Sequence, residues 1–209
     1  MSGPNPWLDI PEADYVGHMS HPSVNQRSVL NRLMREALED VRPRAFLVLG
    51  CSTGNGLEHV DRSVTTRVTV VDINAAYLSR LADRFPNPGF ELEIRCADLN
   101  EAMLESNAFD LVHAALVCEY VSWQPLIPRV AQALTRGGAL SVVLQRPAPS
   151  IPAVTPTQFK SLQSLESLFH FVDPDAVIEA AQDGGLTRAL RRTEPLPSGK
   201  AFELLRFSR

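Results

Sequence analysis

Apolar residues recur along the 209-residue chain in two alternating rhythms. Between Pro22 and Asp40, Val29, Leu30, Leu33, Met34, Ala37 and Leu38 fall at helical spacing, and Pro43 ends the pattern. Short apolar runs then predict strands over 44–49, 67–72, 90–96, 109–116 and 139–145. Helical patterns lie between them: from about Gly54, over 74–85, near 99–106, and over 124–135, where Gly137-Gly138 closes the last. Strands alternating with helices predict an α/β fold whose parallel sheet is joined by right-handed crossovers.

The rhythm changes after residue 145. Prolines at 147, 149, 152 and 156 exclude a regular element over 146–158. Phe159, Leu162, Leu165, Leu168 and Phe169 then form a helical stripe that serves as core or as an apolar wall over a substrate. Asp173 and Pro174 start a further helix that Gly184-Gly185 ends. The segments 186–192 and 200–207, joined by a turn, predict a closing antiparallel hairpin. Residues 1–20 are polar and Pro/Gly-rich, yet their Trp7, Leu8, Ile10, Tyr15 and Met19 predict packing on the body. The chain therefore divides into an N-terminal lid segment and helix, 1–43, and a core, 44–209, with a cap insertion near 146–172.

One stretch carries chemistry. VLGCSTGNGLEHV, 48–60, runs from an apolar strand into a glycine turn, and Asp72 ends the next strand. Gly50, Gly54 and Gly56 let the backbone pass close to a ligand, and a carboxylate at the second strand's tip can accept two hydrogen bonds from a ribose diol. Together they describe a pocket for an adenosine-bearing cofactor. The competing structural roles are a tight turn for the glycines, and helix capping for Asp72 and Asp98.

Four landmarks in register resemble the class I S-adenosylmethionine-dependent methyltransferases, over about 44–145. Gly50, Cys51, Ser52, Thr53 and Gly54 stand where that family has its Gly-x-Gly-x-Gly turn. Asp72, 22 residues beyond Gly50, stands at its ribose-binding acid. Cys96-Ala97-Asp98-Leu99 matches the adenine loop, and FDLVHAALVCEYV with LTRGGALSVVL matches the strand 4 and strand 5 motifs. The resemblance implies a three-layer Rossmann-like sandwich: a mostly parallel seven-stranded sheet with an antiparallel last strand. It implies S-adenosylmethionine as cofactor, S-adenosylhomocysteine as product, and cofactor contacts at Gly50, Cys51, Ser52, Gly54, Asn55, Gly56, Asp72, Ile73, Asp98, Leu99 and Ala115.

Two positions depart from the family pattern. Val48 replaces an acid two residues before the first glycine, and Ser52 replaces the second glycine, which implies an ordinary backbone conformation at 52. Weaker cofactor affinity, or compensation by the N-terminal segment, is the expectation. A cofactor-binding regulatory protein without turnover is the alternative to an enzyme.

Other cofactor classes fail on residues. A short-chain dehydrogenase needs Tyr-x-x-x-Lys, and neither lysine, Lys160 or Lys200, has a tyrosine four positions before it. No Gly-Lys-Ser/Thr of a P-loop is present, nor the acidic Gly-rich signature of aminopropyl transferases. A net charge of −4 with interspersed signs carries no basic footprint for nucleic acid. No apolar run approaches the ~20 residues of a membrane span. The acidic N-terminus is unlike a signal peptide, and Cys51, Cys96 and Cys118 suggest neither a disulfide frame nor a zinc site. A cytoplasmic enzyme acting on a small molecule is the expectation, with the oligomeric state open.

Methyl transfer is an in-line displacement that needs positioning more than a dedicated residue, so no catalytic residue is assigned. Glu119 and Tyr120, at the end of strand 4, are substrate-side candidates; the plainer reading leaves Glu119 solvated and Tyr120 packed. His18, in a segment expected to close the site, is a candidate base. His21, His59, His113 and His170 lack metal-ligand spacing, and the Asn-Pro-Pro-Tyr motif of amino-group methylation is absent.

Overall fold

A computed structural model describes residues 5–209; the first four residues of the expected lid segment lie outside it. Five strands are parallel neighbours: β1 (Ala45–Leu49), β2 (Arg67–Asp72), β3 (Glu91–Cys96), β4 (Phe109–Ala115) and β5 (Leu134–Gln145). The hairpin β6 (Thr187–Pro195) and β7 (Ala201–Ser208) completes a seven-stranded sheet of order β3-β2-β1-β4-β5-β7-β6. β7 runs antiparallel to both its neighbours. Among the described residues no helix is long and apolar enough to cross a membrane.

Alternation along β1 builds the layers, because successive side chains in a strand point to opposite faces. Phe46 and Val48 pack with α2 (Arg27–Val41) and α3 (Ala75–Arg84) through Met34, Leu38, Leu78 and Leu81. Leu47 and Leu49 pack on the other face with α4 (Trp123–Ala133) and α5 (Pro174–Asp183) through Leu126, Val130 and Val177. A further helix, α1 (Glu12–Ser20), lies with residues 146–172 across the carboxyl ends of the strands.

Four predicted elements take other forms. The helix from about Gly54 is only a 3₁₀ turn, Leu57–His59. Gly56 sits at φ 96°, and Asp61 accepts both the N–H and the hydroxyl of Ser63, which diverts the chain toward β2. The short helix near 99–106 stops after one turn because Arg129 donates to the carbonyls of Leu99 (2.7 Å) and Ala102 (2.8 Å). Gly137-Gly138 does not end α4. It forms an irregularity inside β5, where pairing jumps from Phe109–Leu134 to Leu111–Ala139. The stripe after Phe159 is a 3₁₀ helix, Lys160–Ser167, whose three-residue period matches the spacing of Leu162 and Leu165.

Candidate active site

The strands' carboxyl ends open into a cavity that is partly open to solvent. Open α/β sheets take their ligands there. Its floor is the glycine turn after β1 and the ends of β2 and β4; its roof is the N-terminal segment and the 146–172 insertion.

Backbone geometry dominates the floor. Gly50 has φ 66°, and a Cβ there would lie 2.5 Å from Val117 Cγ2. Ser52 is left-handed too, at φ 48°, which overturns the expectation of an ordinary conformation. Serine thus keeps a glycine-like backbone, at a cost of roughly 1–2 kcal/mol. Its N–H donates to Asp72 Oδ2 at 2.8 Å, while Asp72 Oδ1 accepts the N–H of Asn74 at 2.9 Å. Burial raises the Asp72 pKa against the pull of these amides. Asp72 does not cap α3; Asn74 does, accepting the N–H groups of Ala76 and Tyr77. Asp72 is thereby left at the cavity wall.

The structure separates the eleven expected cofactor contacts into two groups. Gly50, Ser52, Asp72, Ile73, Asp98, Leu99 and Ala115 line the cavity. Asp98 holds Asn100 through Oδ1 only. Cys51, Gly54, Asn55 and Gly56 lie behind the turn. Cys51 is in the core, Gly54 faces Leu81 and Phe85, Gly56 faces Met34, and Asn55 donates to the carbonyl of Arg27 at 2.9 Å. Val48 is buried on the α2–α3 side and does not line the cavity.

The roof is aromatic. Trp7 stands edge-on to Tyr120 at 5.0 Å, Tyr120 to Phe169 at 5.5 Å, and Tyr15 lies 5.3 Å from Tyr77. Asn74 donates to the Trp7 carbonyl at 2.8 Å, tying the N-terminal segment to α3. The two halves of the roof grip each other: Gly17 lies against the Phe159 ring, Ser161 donates to Asp14 at 2.5 Å, and His18 Nδ1 lies 3.0 Å from Thr157 Oγ1. Burial lowers the His18 pKa to about 4, so the ring is neutral at pH 7.

Glu119 departs from both of its expected roles. It is fully buried, neither solvated nor at the cavity wall; Oε1 accepts the N–H of Gln145 at 2.6 Å, and burial raises its pKa to about 7. Tyr120 does line the cavity. Sequence reasoning passed over Gln26, Gln145 and Lys200, all buried and lining the far side. A polar residue closing the apolar run ALSVVL, and one of only two lysines at the head of a buried strand, were the available signals.

Residues fit an adenosine cofactor on one further count. Ser52 Oγ and Tyr77 Oη are buried, lack a partner among the described residues, and belong to cavity-lining side chains. Buried hydroxyls are seldom left unsatisfied without a ligand or water to meet them.

Comparison with known proteins agrees. Residues 46–138 match the family described as "Methyltransferase domain". No curated protein matches the chain. Among solved structures, the chain is similar to an S-adenosylmethionine-dependent methyltransferase from Mesorhizobium loti: 20% identity, 79% of this chain and 90% of that one, TM-score 0.64. It is also similar to the N-methyltransferase NodS from Bradyrhizobium japonicum WM9 bound to S-adenosyl-L-homocysteine: 19% identity, 100% and 93%, TM-score 0.67. Geranyl diphosphate C-methyltransferase from Streptomyces coelicolor A3(2) superposes with TM-score 0.68 at 13% identity, over 87% and 77%. At 20% identity or less, these structures share the fold. Residues 46–138 thus match a methyltransferase domain, and the sheet order and the glycine turn facing Asp72 give the chain the Rossmann-like fold of these methyltransferases.

Proposed function

We propose that the chain methylates a small molecule enclosed beneath the aromatic roof, with Gly50, Ser52, Asp72, Ile73, Asp98, Leu99 and Ala115 forming the cofactor's bed. The Ser52 N–H on the Asp72 carboxylate carries this reading, because one bond fixes both the glycine turn and the ribose-facing acid. Asp72 retains lone pairs for two hydroxyls after accepting two amides. Asp98 Oδ2 has no partner among the described residues, which leaves it free to accept the adenine amino group. Cys51, Gly54, Asn55 and Gly56 support the turn from behind.

S-adenosylmethionine supplies, when bound, a methyl group on a positively charged sulfur. The protein's own task is to align the acceptor and exclude water. Residues 5–20 and 146–172 do so as one cap, since α1 and the 3₁₀ helix contact each other. A neutral His18 can accept a proton, and its bond to Thr157 orients the ring. The roofed cavity favours a small acceptor over a macromolecule. The free cysteines, two of them buried, suit a reducing cytoplasm.

Calorimetry with S-adenosylmethionine and S-adenosylhomocysteine tests the reading. Wild type binds both, and deletion of residues 1–20 weakens cofactor affinity and turnover. Absence of binding at millimolar concentration overturns the cofactor bed, and an unchanged truncated protein overturns the cap.

A further inference from the structure

Lys200 is 3% exposed and immediately precedes β7, two strands beyond β4 in the sheet. At strand spacings of about 4.8 Å, that places it about 10 Å from the end of β4 and about 19 Å from the end of β2 that carries Asp72. Its ammonium donates to the carbonyl of Ala153 at 2.7 Å. An ammonium has three donors, so two remain.

The chain contains 24 Asp and Glu, and among the described residues none lies within 4.0 Å of Lys200. The other strongly buried basic side chain among them, Arg206, meets Asp40. Burial alone lowers the Lys200 pKa, to about 8. A buried cation facing a cavity without a counter-ion is costly, unless the ligand brings one.

The surroundings supply further donors. Gln145 donates to the same Ala153 carbonyl at 2.9 Å, and Gln26 donates to Gln145 Oε1 at 3.0 Å. Each amide nitrogen carries a second N–H. Gln26, Gln145 and Lys200 all line the cavity, so the lining of its far end is a donor cluster; the carboxyl of Glu119 lies behind it, where Oε1 is taken by the Gln145 backbone N–H. Tyr120, Phe169, Leu162 and Leu165 form an apolar wall over the same cavity.

We propose that this end of the cavity is an anion-binding subsite for the methyl acceptor, making the acceptor a small acid with a planar apolar body. Lys200 takes the acid group, Gln145 and Gln26 flank it, and the aromatic wall covers the body. The Ala153 carbonyl holds the ammonium in place while leaving its remaining protons for the ligand. The inference rests on the methyltransferase reading above and adds the charge class of its substrate.

The test uses the full chain loaded with S-adenosylhomocysteine and titrated with benzoate and 2-naphthoate, against the neutral benzamide and 2-naphthamide. Wild type is expected to bind the acids at least tenfold more tightly than the amides. Lys200→Met removes that preference while leaving S-adenosylhomocysteine affinity within twofold; Lys200→Gln repeats the result if the methionine variant does not fold. Equal binding of acids and amides, no binding of either, or a preference that survives the substitutions overturns the proposal. So does a tenfold loss of S-adenosylhomocysteine affinity, which would assign Lys200 to the cofactor's carboxylate. Failure of wild type to bind S-adenosylhomocysteine would instead overturn the parent reading.

Discussion

The Asp72 carboxylate accepts the backbone N–H of Ser52 at 2.8 Å, joining the tip of β2 to the turn after β1. The side chain proposed to face the ribose therefore also holds the backbone of the turn. Asp72→Ala removes both, and S-adenosylhomocysteine affinity is expected to fall by about 1–3 kcal/mol. The thermal midpoint falls as well, because the amides of Ser52 and Asn74 lose their acceptor. Asp72→Asn, which keeps one oxygen, should lie between the two. Calorimetry and thermal melts check this; unchanged affinity would remove Asp72 from the cofactor bed.

Ser52 gives the opposite sign. Its backbone stands at φ 48°, and its hydroxyl is buried without a partner among the described residues. Ser52→Gly relieves the backbone strain and removes the orphan hydroxyl, so the apo protein is expected to gain about 1 kcal/mol. For a chain of this size that is a rise of roughly 2–4 °C in Tm. Cofactor affinity in the same variant reports what the hydroxyl contributes to the ligand.

What the sequence disclosed follows from physics that acts locally. Alternation along 45–49 and 67–72 set two buried faces, and Asp173-Pro174 started α5 at the residue its side chain caps. The failures came from long-range partners. Arg129, some 30 positions away, takes the carbonyls that a helix after Asp98 would need. Asn74, not Asp72, caps α3, a choice between two suitable residues that depends on which one the Ser52 amide engages.

The site was legible where backbone shape writes it and opaque where tertiary contact does. Gly50 and Asp72 announced themselves by spacing. Lys200 and Gln145 did not, because a lysine and a glutamine at strand ends usually face solvent, and only the roof at Ala153 buries them. Ser52 misled for a further reason. Its left-handed backbone is imposed by the turn and by Asp72, against the residue's own preference.

Cap closure depends on a glycine. A Cβ at Gly17 would lie 2.3 Å from the Phe159 ring, closer than any relaxed contact. Gly17→Ala is expected to push the 3₁₀ helix off α1 at a cost of about 1–3 kcal/mol. Cleavage by a nonspecific protease within 146–172 should accelerate, and KM for the acceptor should rise. Phe159→Ala in the same chain relieves the clash, so the two substitutions are non-additive. Simple additivity would show that the cap does not close through this contact.

Glu119 sets a pH dependence of stability. Its folded pKa, raised by burial to about 7, exceeds the ordinary value of 4.5. The unfolded chain therefore ionises first, and the stability that protonated Glu119 contributes is complete below about pH 4.5 and lost as pH rises through about 7. A tenfold difference in proton affinity between the folded and unfolded chains corresponds to about 1.4 kcal/mol, so the loss approaches ~3 kcal/mol. Glu119→Gln still offers an oxygen to the Gln145 N–H and cannot ionise. Urea melts of both proteins at about pH 5, 6, 7 and 8 should show the variant gaining on wild type across that range and levelling above about pH 7. Parallel curves would mean that the carboxyl is solvated in solution, and that the bond from Gln145, which leads into the acceptor end of the cavity, is not fixed by it.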